Sequence, residues 1–199
     1  MEKILFLDFD GVITTYRSKY NIDIDKVDYI NKIIDATSAK IVVTSSWKHG
    51  YQNVESFKEF LRQCNSIYIS ELLRFNDIYI SFVDSIIDIT ETCNHYRGNE
   101  IKKYIEDNDI TQYCILDDDS DMLDEQLFNF VQTDYVYGIS EREVELCIDV
   151  LNGNKIIKPT RLNEVLTTMW RNKCSGQKNK IDTLLINYNI TLNENRRND

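Results

Sequence analysis

The chain of 199 residues carries a formal charge of −10, with 42 % hydrophobic and 28 % charged residues. That apolar share is ordinary for a globular protein and is enough for the core of one domain with an appendage. The acidic balance works against extended, sequence-independent binding to a polyanion, since few counterions would be released, and leaves only a local basic patch to meet a nucleic-acid end.

Residues 3–9 (KILFLDF) predict a short buried strand that runs into Asp-Gly. Val27, Ile30, Ile33 and Ile34 recur at helical spacing over 25–36. Residues 40–44 (KIVVT) predict a second apolar, β-branched strand, stopped by Ser45 and Ser46. Val54, Phe57, Phe60, Leu61 and Cys64 mark another amphipathic helix. Residues 78–90 (IYISFVDSIIDIT) are β-prone without clear bounds, and a helix carrying Ile101, Tyr104 and Ile105 spans about Gly98 to Asn108. Residues 113–116 (YCIL) predict a strand that meets Asp117, Asp118, Asp119 and Asp121, and a further strand is expected near Phe128 to Val131. Ser140 opens a last helix with Glu143 as its capping-box partner, and Gly153 is the expected C-cap. Strands alternating with helices imply a parallel sheet with right-handed crossovers, whose ligands bind beyond the carboxyl ends of the strands. Asp8/Asp10, Thr44/Ser45/Ser46 and Asp117/Asp118 each follow a strand, so the fold should bring them together.

After Pro159 come two more amphipathic segments, one with Leu162, Val165, Leu166, Met169 and Trp170, the other with Ile181, Leu184, Leu185 and Tyr188. They divide the chain into a domain of residues 1–158 and a helical appendage of 159–199 with a polar, frayed end; the appendage either packs on the domain or binds a partner. No run approaches the ~20 apolar residues of a membrane span, and no leader precedes the first strand, so a soluble, cytoplasmic protein is expected. Five scattered cysteines without a Cys-x-x-Cys pair read as reduced thiols.

In extended backbone, residues i and i+2 point to the same side, so Asp8 and Asp10 can face one point. Their mutual repulsion is offset most simply by a divalent cation, and Mg²⁺ favours a few carboxylates with water and phosphate oxygens. Gly11 lets the backbone turn closely around a phosphate, whose oxygens can take exposed N–H groups. A carboxylate can attack phosphorus, and a second one can protonate the leaving oxygen and later activate water. Thr44 or Ser45 supplies a hydroxyl, and Arg97 a charge-assisted donor.

"LFLDFDGVI", "IVVTSSW", "RGNEIKKYI" and "YCILDDDSDM" resemble, in order, the four motifs of haloacid dehalogenase (HAD) superfamily phosphohydrolases. The resemblance covers residues 1 to about 152 and is nearest to the HAD domain of multi-domain RNA-repair proteins. It is also similar to the phosphatase part of polynucleotide kinase-phosphatase. It implies a three-layer, Rossmann-like α/β core and a Mg²⁺-dependent phosphatase acting through an aspartyl-phosphate. Asp8 would be nucleophile and metal ligand. Asp10 would be general acid/base and would offer its backbone carbonyl to the metal. Phe9, Thr44, Ser45 and Arg97 would bind phosphate, Arg97 standing where the family usually has Lys. Asp118, with Asp117 beside it, would complete the metal site, an assignment open by one position among the acids of 117–121.

Only 33 residues lie between Asp10 and Thr44, and 52 between Thr44 and Arg97. These insertions leave room for a minimal cap or none, so the expected substrate is a phosphorylated RNA or DNA end, or a nucleotide. Trp47, Lys48, His49 and Tyr51 are weighed as nucleotide contacts against core packing or solvent exposure. A small-molecule phosphatase and a catalytically silent binding or regulatory module are the alternatives.

Overall fold

In the computed structural model, which describes residues 2–19, 21–72, 81–93 and 96–154, the chain opens with β1 (Lys3–Leu7). Its side chains alternate between two apolar surfaces. Leu5 and Leu7 enter one core with Ile41, Val43, Cys114 and Leu116, while Ile4 and Phe6 enter a second with Val42 and Ile115. A strand buried on both faces must be apolar throughout, as KILFL nearly is.

The helix α1 (Ile24–Thr37) starts where the Asp23 side chain accepts the Asp25 N–H at 3.1 Å, and it buries Val27, Ile30 and Ile33. It returns the chain to β2 (Lys40–Val43). A single 3₁₀ turn, Ser46–Lys48, leads to α2 (Val54–Leu72). A second 3₁₀ turn, Ser81–Ser85, precedes β3 (Ile86–Ile89), so in the poorly bounded segment 78–90 the strand is short and late. Then follow α3 (Arg97–Asp107), β4 (Gln112–Asp117), β5 (Phe130–Gln132) and α4 (Glu141–Leu151). The fifth strand begins at Phe130 and not at Phe128, because Asp124–Asn129 form a 3₁₀ turn. That turn is held by buried Gln126, which donates to the Gly98 carbonyl at 2.7 Å and accepts the Leu123 N–H at 2.9 Å. At the end of α4, Asn154 N–H bonds Asp149 O (2.9 Å) and Gly153 N–H bonds Val150 O (3.0 Å). This is a Schellman closure, with Gly153 in the left-handed region at φ +87°.

All five strands are parallel, in the order β3-β2-β1-β4-β5. The helices α1, α2 and α4 contribute to the core that contains Leu5 and Leu7, and α3 to the one that contains Ile4 and Phe6. The protein is therefore a three-layer α/β fold. Among the described residues, nothing between β1 and α3 forms a separate lid domain. Likewise, no helix is long and apolar enough to cross a membrane. Cys93, Cys114 and Cys147 form no disulfide. The expected appendage of residues 159–199, with the domain boundary placed before it, lies outside the described residues, as does His95.

Candidate active site

Register places the polar clusters. Leu7 stands opposite Val43 on one side and Leu116 on the other. The next residues therefore emerge side by side: Asp8, Thr44 and Asp117. The ladder bonds continue one step further, from Asp8 N–H to Leu116 O and from Thr44 N–H to Leu7 O, each 3.0 Å.

Asp8 is 3 % exposed and Asp117 is fully buried. Arg97, the first residue of α3, reaches between them. Its Nη1 lies 2.8 Å from Asp8 Oδ1 and donates to Asp117 Oδ2 at 2.7 Å. The start of α3 is fixed by Asp121, whose Oδ2 accepts the Arg97 backbone N–H at 3.0 Å. Asp121 thus caps the helix that delivers Arg97.

Burial dominates the electrostatics. It pushes the Asp8 carboxyl above its usual range, against the pull of Arg97 and of a hydrogen bond from Ser45. Burial and then the neighbouring Asp8 charge raise Asp117 to about 8, and the same two causes raise Asp118 to about 6. For Arg97, burial would lower the pKa, but Asp8 and Asp117 outweigh it and hold the guanidinium well above its ordinary value.

One oxygen from each of Asp8, Asp117 and Asp118 lies within 4.8 Å of the others. Three convergent carboxylates form an all-oxygen set that suits a hard divalent cation, and deprotonating them without one is unfavourable in so buried a place. The residues fit such an ion.

The Asp10 carboxylate is not in that trio. Thr14 Oγ1 donates to its Oδ1 at 2.7 Å, and the Trp47 indole N–H contacts both of its oxygens at 3.1 Å. The Trp47 ring packs edge-on against Phe9, with centroids 5.5 Å apart. Trp47 is thus a clamp on Asp10 built into the core. Tyr51 packs on Phe57 and Phe60. Lys48 is buried, where its Nζ pairs with Glu100 and donates to Thr90 Oγ1 at 2.7 Å. The core-packing reading of these three residues prevails over nucleotide contact. His49 remains at the surface beside the Thr92 hydroxyl.

Two further polar groups lie beside Asp8. Thr44 Oγ1 is buried without a hydrogen-bond partner, and the Phe9 backbone N–H is directed at the Asp8 carboxylate, while the Phe9 ring is buried. Gly11 is expected to let exposed N–H groups meet a phosphate, and its own N–H is not one of them, because it donates to Thr14 O at 2.7 Å. Glycine is required there for two other reasons. Its φ is +70°, and a Cβ would lie 2.2 Å from Asp118 Cγ.

Sequence reasoning missed Thr14, Glu100, the partners of Trp47 and Lys48, and the capping role of Asp121. Thr14 and Trp47 lie close to motif residues, but nothing in their spacing says that they bond to Asp10. A family model described as the HAD domain in Swiss Army Knife RNA repair proteins matches residues 4–144. No curated protein and no solved structure matches the chain.

Proposed function

The chain belongs to the family of HAD domains found in Swiss Army Knife RNA repair proteins, and on that premise we propose that it is a Mg²⁺-dependent phosphatase acting through Asp8. The observation that carries this reading is the convergence of Asp8, Asp117, Asp118 and Arg97 beside the unpartnered Thr44 hydroxyl.

In this reading an Asp8 carboxylate oxygen bonds to phosphorus as the bond to the leaving oxygen breaks, giving an aspartyl-phosphate. Asp10, held by Trp47 and Thr14, gives a proton to the leaving oxygen. It then takes a proton from the water that attacks phosphorus. The phosphorus–Asp8 bond breaks, inorganic phosphate leaves and the carboxylate is restored. Thr44 Oγ1, Ser45 and the Phe9 N–H hold the phosphoryl oxygens. Arg97 holds Asp8 in place and balances charge as a fixed cation rather than as a mobile ammonium. Asp8, Asp117, Asp118 and the Asp10 carbonyl would hold Mg²⁺, which when bound neutralises charge on the transferring group.

The substrate in this reading is a phosphorylated nucleic-acid end or a nucleotide. Support comes from the family's description and from the want of a separate lid among the described residues. A cytoplasmic setting agrees with Cys93, Cys114 and Cys147 forming no disulfide. The test is release of phosphate from para-nitrophenyl phosphate with Mg²⁺, compared with EDTA and with Asp8→Asn. Turnover that needs Mg²⁺ and disappears in Asp8→Asn is expected. Undiminished turnover in Asp8→Asn would remove the nucleophile. No turnover in the wild type would favour the silent binding module.

A further inference from the structure

Among the described residues, six large apolar side chains are strongly exposed, and five of them lie at the carboxyl edge of the sheet, the edge that carries the candidate site. They are Tyr16 (63 %), Tyr96 (60 %), Tyr135 (46 %), Val136 (37 %) and Tyr137 (58 %). The sixth, Ile87, is the extra residue of an irregularity in the β2–β3 ladder. Tyrosines placed singly at a surface need no explanation, but this concentration at one edge does.

Four of the five belong to two loops that touch. Tyr16 follows the turn after β1, and Tyr135–Tyr137 follow β5. The loops are joined by Thr133 Oγ1 to Gly11 O (2.8 Å) and by Ile139 N–H to Val12 O (3.0 Å). Gly138 permits the approach: a Cβ there would lie 2.5 Å from Val12 O. The Arg17 guanidinium sits over the Tyr137 ring, 5.1 Å from its centroid. The Asp134 carboxylate accepts the Val136 and Tyr137 N–H groups at 2.8 and 3.1 Å, which fixes the backbone that displays the rings. The surface adjoins the candidate site, since Thr14, two residues before Tyr16, donates to the Asp10 carboxylate.

We propose that Tyr16, Arg17 and Tyr137 form a stacking platform for the unpaired bases next to a phosphorylated nucleic-acid terminus held at Asp8. The assignment rests on the phosphatase reading of the adjoining pocket. Every base has a π-face, so rings and a guanidinium grip single strands without reading sequence. A chain of net charge −10 gains little from tracking the phosphate backbone, and base faces are the part of the ligand it can hold. Stacked bases must be unpaired, so the platform selects single-stranded ends over blunt duplexes.

The test is fluorescence anisotropy with a labelled, unphosphorylated single-stranded hexanucleotide, as RNA and as DNA, with a duplex of the same sequence beside it. Saturable binding of the single strand is expected, with duplex binding weaker. Tyr16→Ala and Tyr137→Ala should each weaken the single strand by about 5- to 150-fold, and Tyr137→Phe should not. From 50 to 200 mM salt the affinity should fall less than about threefold, the response for roughly one neutralised phosphate on a single strand. Equal affinity for duplex, or tyrosine variants that bind as the wild type does, would overturn the platform. So would a steep salt response with no effect of the tyrosines. If Tyr137→Ala does not fold, Tyr16→Ala decides the matter. Since the probe carries no phosphomonoester, failure of the phosphatase reading appears separately, as absent release from para-nitrophenyl phosphate.

Discussion

Lys48 and Glu100 form an ion pair whose side chains are 4 % and 9 % exposed. Lys48 has three N–H donors, and three acceptors surround it: Glu100 Oε2, Thr90 Oγ1 and, at 3.4 Å, Thr44 O. Removing Glu100 alone leaves an ammonium buried against two neutral oxygens. Glu100→Ala should therefore cost about 3–5 kcal/mol, the range for breaking a buried pair. That is a large part of the roughly 5–15 kcal/mol by which domains are stable. In urea, with a slope of about 1–3 kcal/mol per M, the midpoint should fall by about 1–5 M. Lys48→Met leaves the opposite orphan, a buried carboxylate without its cation, and should cost a similar amount. The double change Lys48→Met with Glu100→Leu should recover most of the loss, because apolar replacement of a buried pair is often neutral or better. The pair also ties the first turn of α3, which carries Arg97, to the segment after Thr44. The stable double variant should therefore lose kcat by about tenfold or more with little change in KM, as expected when the cation that positions Asp8 is misplaced by a fraction of an ångström. If either single variant unfolds within ~0.5 kcal/mol of the wild type, the pair is not the buried tether described above.

The acidic trio makes melting depend on metal and pH together. Burial holds Asp8 above its usual range, with Asp117 near 8 and Asp118 near 6. Raised folded-state values contribute stability that is fully present below the ordinary 3.8 and is lost as pH climbs from there through about 6 for Asp118 and about 8 for Asp117, so the protein in EDTA should melt progressively lower across that window. Millimolar Mg²⁺ should restore the loss by binding the deprotonated trio, with a shift that grows with pH and mostly disappears in Asp118→Ala; identical melting in EDTA and Mg²⁺ would remove the metal site. Gly11→Ala should cost about 1–2 kcal/mol for the left-handed backbone alone and should also abolish the Mg²⁺ shift, since the added methyl displaces Asp118. Trp47→Phe keeps a ring against Phe9 but deletes the donor to Asp10, so turnover should fall severalfold with little change in melting, and equal turnover would show that the indole bond does not position Asp10.

The elements were legible where one physical signal dominated. The 3.6-residue spacing of Val27, Ile30 and Ile33 foretold α1, and Ser140 with Glu143 foretold the start of α4. Strand ends followed by Asp8, Thr44 and Asp117 foretold one shared edge, because a parallel sheet lines up the carboxyl ends of its strands. The β3 segment was not legible, since IYISFVDSIIDIT is β-prone throughout and only its pairing with Ile41–Val43 selects Ile86–Ile89. Side-chain destinations were least legible of all. Trp47, Lys48 and Tyr51 form a polar-aromatic run that resembles an exposed contact surface. Two of them are instead decided by distant partners, Asp10 for Trp47 and Glu100 for Lys48. The local pattern also could not show that the Gly11 N–H closes its own turn. No spacing rule reports a hydrogen bond across 37 or 52 positions.

The strand β1 is central, yet its neighbour β4 pairs Lys3 with Gln112, more than a hundred residues away. Closing that register is the slow part of folding for such a topology, because loop entropy must be overcome before the contact forms. On a ribosome adding about 5–20 residues per second, Asp8 waits roughly 5 to 20 s for Asp117 to be made. During that interval Ile4, Leu5, Phe6 and Leu7 have no β4 partner and form an apolar segment prone to association with other chains. Asp8 acquires its buried, charge-balanced surroundings only in the closing step. Assembly of the acidic cluster and the folding bottleneck are thus the same event, and a nascent chain cut short before β4 would have Asp8 without Asp117 and Asp118 beside it.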